Sequence, residues 1–136
     1  MHGVVGERGG VLRILVVDDD QGFRKFIRRI LNTNKGLTVV GEALDGEDAV
    51  ELAQKLRPDM VLMDVDLPRL DGLEATRMIK ASPPLRGIVV IMLSTVDGAA
   101  YRAAAAKAGA DNFLPKTAPI VHILSTIRHS VRPPST

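Results

Sequence analysis

Ile14-Leu-Val-Val-Asp-Asp-Asp20 and, further along, Asp59-Met-Val-Leu-Met-Asp-Val-Asp-Leu-Pro68 are the two stretches that decide the fold. Each is a short run of consecutive apolar residues that stops abruptly at carboxylates. A strand with one wet face alternates apolar and polar side chains, whereas an unbroken apolar run needs cover on both faces, as in a parallel sheet between helices. In both stretches the chain leaves the interior at an aspartate.

Similar runs recur at Leu37 to Val40, at Ile88 to Leu93 and, more weakly, at Phe113 to Leu114. Between them lie helical patterns. Phe23, Phe26, Ile27, Ile30 and Leu31 form one apolar stripe, while Arg24, Lys25, Arg28 and Arg29 fall elsewhere on the wheel. Further helices are expected over Glu47 to Leu56, Leu73 to Ala81, Gly98 to Ala108 and Ile120 to Val131. Gly36, Asp45-Gly46, Arg57-Pro58, Pro83-Pro84 and Gly109 punctuate the joins. Strict alternation of strand and helix predicts an α/β protein with a doubly wound, five-stranded parallel sheet in the order 2-1-3-4-5. In that order strand five is an edge, which suits Pro115, since proline donates no ladder hydrogen bond. The crevice lies where the order reverses, at the carboxyl ends of strands one and three.

The chain of 136 residues, 46% apolar and 25% charged, has the size and composition of one globular domain. Residues 12–131 are expected to form it, with 1–11 as a glycine-rich leader and 132–136 as a tail or the start of a linker, the latter favouring a piece of a longer regulator. No apolar signal or membrane-length segment is evident, so a cytoplasmic location without membrane contact is expected. The absence of cysteine removes disulfide, thiolate and zinc-cysteine chemistry. The net charge of +2 is spread without a dense basic run or interleaved aromatics, so direct nucleic-acid binding is not expected. His2, His122 and His129 form no cluster by spacing.

A lone aspartate after a strand is ordinarily a turn residue or a cap. Two such ends meeting at the reversal point are different, because they gather Asp18, Asp19 and Asp64, with Asp66 nearby. Crowded carboxylates repel, and a divalent cation with oxygen preference, Mg²⁺, relieves that repulsion. Asp20 precedes the helical stripe and reads as its N-cap. Ser94 after strand four and Lys116 after strand five converge on the same crevice, a hydroxyl and an ammonium suited to a phosphoryl group on Asp64. Thr95 beside Ser94 leaves the hydroxyl open by one residue, although the spacing to Ala108-Gly-Ala110 favours Ser94.

These motifs, together with Val40-Gly-Glu-Ala43, Asp45-Gly46, Asp71-Gly72, Met92-Leu-Ser94, Ala108-Gly-Ala110 and Phe113-Leu-Pro-Lys116, resemble the receiver domains of two-component response regulators from Leu12 to about Val131. The resemblance implies a flavodoxin-like fold and a phosphoacceptor at Asp64. It also implies Mg²⁺ on Asp18, Asp19, Asp64 and the Asp66 carbonyl, a phosphate-binding and switching set of Ser94, Lys116 and Phe113, and lifetime-tuning positions at Asp66 and Val96. The implied donor is a sensor histidine kinase, a phosphotransfer protein or acetyl phosphate, and the implied response is a switch of the face formed by helix four, strand five and helix five, with homodimerisation a possible readout. Two features lean towards receivers that precede helix-turn-helix outputs and hence towards transcription regulation: Val39-Val-Gly-Glu-Ala43 and Lys116-Thr117. Thr117 stands where many receivers have proline. The expected protein is a signalling module and no enzyme, beyond catalysing its own phosphorylation and dephosphorylation. The rivals are a haloacid-dehalogenase-like phosphatase built on Asp64-Val-Asp66, a flavin binder, and a receiver-shaped module that works without phosphorylation.

Overall fold

The computed structural model describes residues 10–131. The expected tail lies outside these residues, as does the expected leader apart from Gly10 and Val11. Strands and helices alternate from β1 (Leu12–Val17) and α1 (Gln21–Asn32) through β2 (Leu37–Ala43), α2 (Gly46–Leu56), β3 (Met60–Asp64) and α3 (Gly72–Ala81) to β4 (Val89–Ser94), α4 (Ala99–Ala108), β5 (Asn112–Pro115) and α5 (Ile120–Ser130). The five strands are parallel and ordered β2-β1-β3-β4-β5.

The unbroken apolar runs are explained by two cores, one on each side of the sheet. Leu15, Val17, Val61, Met63, Val90 and Met92 point to the side covered by α2, α3 and α4, where Ala49, Ala53, Ala75, Ile79 and Ala105 meet them. The intervening Ile14, Val16, Met60, Leu62, Ile91 and Leu93 point to the other side, onto Ile27 and Leu31 of α1 and Ile123 and Ile127 of α5. Small alanines let α2 to α4 lie close to the sheet, while branched side chains fill the space under α1 and α5.

Asp20, Asp45 and Asp71 cap α1, α2 and α3, accepting from the backbone N–H groups of Gly22, Asp48 and Glu74. Each such cap contributes about 1 kcal/mol. The expected capping role of Asp20 is therefore observed. β2 runs to Ala43 rather than ending near Val40, because its pairing with β1 shifts between Ile14 and Leu15 and then continues to Val17 opposite Ala43. Phe26, placed on the buried stripe of α1 by periodicity, is exposed; the covered line runs through Ile27 and Leu31. Pro115 is on the edge strand, opposite Ser94, and the next ladder bond is made by Lys116, whose N–H donates to the Ser94 carbonyl at 2.8 Å.

Candidate functional site

The strand register stacks four polar strand ends along one rim of the sheet. Val17 of β1 pairs with Met63 of β3, so Asp18 and Asp64 follow as neighbours. Asp64 pairs with Leu93, and Ser94 with Pro115, which sets Ser94 and Lys116 one and two strands further along.

Asp18 is buried and held from several sides: its N–H donates to the Ala43 carbonyl at 3.0 Å, its Oδ1 accepts from the Asp20 N–H at 2.9 Å, and its Oδ2 lies 2.6 Å from Lys116 Nζ. Asp64 is 5% exposed, and its Oδ2 is 3.5 Å from the same ammonium. Asp19 is exposed, yet it offers an oxygen to the same point: oxygens of Asp18, Asp19 and Asp64 all lie within 4.8 Å of one another. Such a donor set, all carboxylate oxygen at the end of a parallel sheet, fits a hard divalent cation.

Electrostatics supports that fit. Burial, followed by the charge of Asp18, pushes the Asp64 carboxyl from its ordinary 3.8 up to about 7, although Lys116 and the Asp66 N–H pull it down. Burial alone would lower the Lys116 pKa, but its hydrogen bond to Asp18 and the charges of Asp64 and Asp18 hold it above its ordinary value. The two partners thus shift the same way rather than in mirror image. One ammonium is shared by two carboxylates and is fully compensated, while the carboxylates are not. The site is short of positive charge, which is the condition a cation corrects.

Ser94 is fully buried and its Oγ accepts from the Val96 N–H at 3.0 Å, whereas Thr95 is exposed, so the buried hydroxyl at this strand end is that of Ser94. Val96 and Asp66 are both exposed on loops beside it. Phe113 is mostly enclosed already, and the Arg102 guanidinium of α4 sits 5.1 Å from its ring centroid while also pairing with Asp97 at 3.0 Å. Tyr101 packs partly against the same core. His122 and His129 are exposed and apart from the site.

The roles of several contributors were not readable from residue type or spacing. Gly72 comes so close to Asp64 that an added Cβ would lie 2.0 Å from the Asp64 carbonyl oxygen. Gly46 likewise meets the Leu70 carbonyl, at 1.9 Å from such a Cβ, locking the β2–α2 turn against the loop after Asp64. Asp-Gly at both places reads as turn chemistry; only the assembled loops reveal close approach. Arg69, at φ 70, is a non-glycine residue in the left-handed region and pairs with Asp45 and Glu47. Arg24 donates to the Asp18 carbonyl at 2.9 Å and to Glu42 at 3.1 Å, and Phe23 lies over the Lys116 ammonium.

The response regulator receiver domain model matches residues 14–128. The chain is 41% identical, over 85% of its own length and 31% of the relative's, to a protein-glutamate methylesterase/protein-glutamine glutaminase of Pyrococcus abyssi (strain GE5 / Orsay). In structure it resembles the response regulator domain of Thermotoga maritima CheB, with a TM-score of 0.80, 36% identity and 88% and 96% of the two chains covered. It also resembles a two-component response regulator of the LuxR family from Aurantimonas sp. SI85-9A1, with a TM-score of 0.83, 31% identity and 88% and 84% covered.

The chain belongs to the response regulator receiver domain family, and its fold is the flavodoxin-like one of two-component signalling. The expectation of a protein outside enzymology is corrected by the curated relatives, which are named as enzymes; the chain spans only their receiver part, 31% of the length in the Pyrococcus protein. Motifs of a receiver speak for the input side of a regulator and carry no information about the module it controls. Among the described residues no helix is long and apolar enough to cross a membrane.

Proposed function

We propose that this receiver accepts a phosphoryl group on Asp64, with Mg²⁺ held by Asp18, Asp19 and Asp64 and by the backbone carbonyl of Asp66. The observation that carries the reading is the convergence of those three carboxylates within 4.8 Å beside a single, shared lysine. When bound, the cation supplies countercharge to the phosphoryl oxygens and to the carboxylates.

The side chains account for the remaining steps. Asp64 attacks phosphorus in line; the new bond is Asp64 Oδ–P and the broken one is the donor's. A phosphohistidine donor leaves as imidazole after gaining a proton, and acetyl phosphate leaves as acetate. A carboxylate is a weak nucleophile, so rate comes from positioning and from neutralising equatorial charge. Lys116 moves from its carboxylate partners to a phosphoryl oxygen, and the Ser94 hydroxyl, which accepts from the Val96 N–H, turns its own O–H to donate to another. Withdrawal of Ser94 towards the phosphoryl group alters the space beside Phe113 and biases the surface of α4, β5 and α5. Phosphorylation-dependent pairing through that surface is one readout. Asp66 and Val96 flank the path of attacking water; Val96 has no group to orient it, which slows loss of phosphate.

Sensor histidine kinases or phosphotransfer proteins are the proposed donors, and a cytoplasmic site is the proposed setting. For the output, a methylesterase relative at 41% identity, and among solved structures 36% identity to the CheB receiver domain against 31% to a LuxR-family regulator, support control of a methylesterase-type module over transcription regulation. Residues 12–131 are the proposed receiver unit.

Intact-mass measurement after acetyl phosphate and Mg²⁺ treatment tests the core of this reading. The wild type is expected to gain one phosphoryl group and Asp64→Ala none. Equal uptake by both would assign the acceptor elsewhere, and no uptake by either would favour a receiver-shaped module that works without phosphorylation.

A further inference from the structure

We propose that Phe23 is a positioning residue for the phosphoryl site, its ring seating the Lys116 ammonium so that it faces Asp18 and Asp64 before phosphate arrives. The inference rests on Asp64 as acceptor and adds a residue that supplies none of the polar contacts.

Lys116 Nζ lies 4.8 Å from the Phe23 ring centroid, inside the distance at which an aromatic face attracts a cation. The same nitrogen is 2.6 Å from Asp18 and 3.5 Å from Asp64, and the lysine side chain is 11% exposed. The ammonium therefore sits between two carboxylates and a ring. A lysine on a flexible four-carbon stem has many alternative directions, and each lost contact releases it towards water. The ring closes one of those directions without competing for a proton or an oxygen.

Phe23 differs from the core residues of its helix. Ile27 and Leu31 are fully buried beneath α1, while Phe23, in the first turn, packs only partly against the same core and is half-buried at the end of the sheet that holds the site. That turn is fastened to Asp18 itself. The Asp20 N–H donates to Asp18 Oδ1 at 2.9 Å, the Asp20 side chain caps α1, and Arg24 donates to the Asp18 carbonyl at 2.9 Å. Arg24 and Arg28 are in turn fixed on Glu42, whose carboxyl they hold below its ordinary pKa against the opposing effect of burial. Phe26 flanks the ring at 6.1 Å between centroids. The seat of the lysine and the acidic residue it pairs with are thus tied to each other through α1.

The test compares wild type with Phe23→Leu and Phe23→Met, which keep apolar bulk but remove the π face, and with Phe23→Tyr, which retains it. In metal-free protein the methylene protons of Lys116 next to the ammonium are expected to be shifted upfield by the ring in wild type and Phe23→Tyr, and to lose that shift in Phe23→Leu and Phe23→Met. With Mg²⁺ and acetyl phosphate, initial uptake on Asp64 is expected to fall at least about two- to five-fold in the Leu and Met variants, the lower end of the range for a cation–π contact, and to be retained by Tyr. An unchanged lysine shift or unchanged uptake in folded Leu and Met variants overturns the proposal, as does a Tyr variant as slow as Leu. Failure of wild type to take up phosphate would instead remove the acceptor reading, while the lysine shift still decides the seat.

Discussion

In buffer without divalent cations, replacing Asp64 by asparagine is expected to stabilise the fold at neutral and alkaline pH. The carboxyl is raised from 3.8 to about 7, first by burial and then by Asp18, so ionising it works against the native state. At about 1.4 kcal/mol for each tenfold change in proton affinity, a rise of that size corresponds to about 4 kcal/mol. Asp19 and Asp66 at the mouth are exposed, so water screens the site, and about 2 kcal/mol is the expected gain. The attraction of Lys116 is already included, because it lowers the same carboxyl and is outweighed.

The sign comes from proton linkage. Between about pH 4 and 7 the native state holds a proton on Asp64 that the unfolded chain has released, so wild-type stability falls as pH rises through this window and is level above it with respect to this group. The asparagine variant lacks that fall. Thermal or urea unfolding of both proteins in EDTA should give nearly equal stability at pH 4 and a gap of about 2 kcal/mol at pH 8, or roughly 5–10 °C for a domain of this size. Millimolar Mg²⁺ should narrow the gap by binding native wild type. A variant that is no more stable than wild type at pH 8 without metal would show that the acidic cluster is not short of positive charge.

Substitutions at three other positions probe the surrounding frame. Gly72→Ala places a methyl group against the Asp64 carbonyl and should cost more than about 2 kcal/mol while depressing phosphate uptake; denaturant melts that match wild type would contradict the close approach. Arg69→Val puts a β-branched residue at φ 70 and removes the pairs to Asp45 and Glu47, for an expected loss of about 1–2 kcal/mol, whereas Arg69→Gly exchanges those exposed pairs for relief of strain and should be near neutral in the same melts. Val96→Glu supplies a carboxylate beside Ser94, and following the decay of phosphorylated protein by intact mass should reveal faster loss than in wild type; equal lifetimes would remove Val96 from the lifetime-tuning positions.

Much of this architecture was legible because burial on both sides of a sheet leaves a plain record. Leu15 and Val16 point to opposite cores, so neither position tolerates polarity, and the run ends only where the chain emerges at Asp18. Thr95 left the choice of hydroxyl open by one residue, with spacing favouring Ser94; of the two, Ser94 is the buried one. Phe23 was legible as an apolar helix residue and nothing more, since a ring over an ammonium depends on how α1 is tilted against β5. Phe26 was misplaced for a related reason: its spacing fits the stripe, but the buried line of α1 is narrow at the end near the site. The relatives' enzymatic character has no counterpart in the receiver motifs, because those motifs encode phosphoryl chemistry and the second activity is named for proteins more than three times as long as the matched segment.

The position of Asp64 also explains why so much of the fold lies away from it. A buried carboxyl beside Asp18, served by a lysine that both share, weakens the protein where it is used. Two cores and three aspartate caps offset that weakness. A rim held short of positive charge responds strongly to a cation, a proton or a phosphoryl group, since each alters a large electrostatic imbalance rather than a balanced one. The parts free to respond are those with the fewest fixed bonds. α4 has no side-chain cap, and Arg102 links it to the enclosed Phe113 ring and to Asp97, the latter an exposed pair that rearranges at little cost. In the proposed switch, Ser94 joins the crowded charge at β1 and β3 to α4, and its hydroxyl accepts from the Val96 N–H.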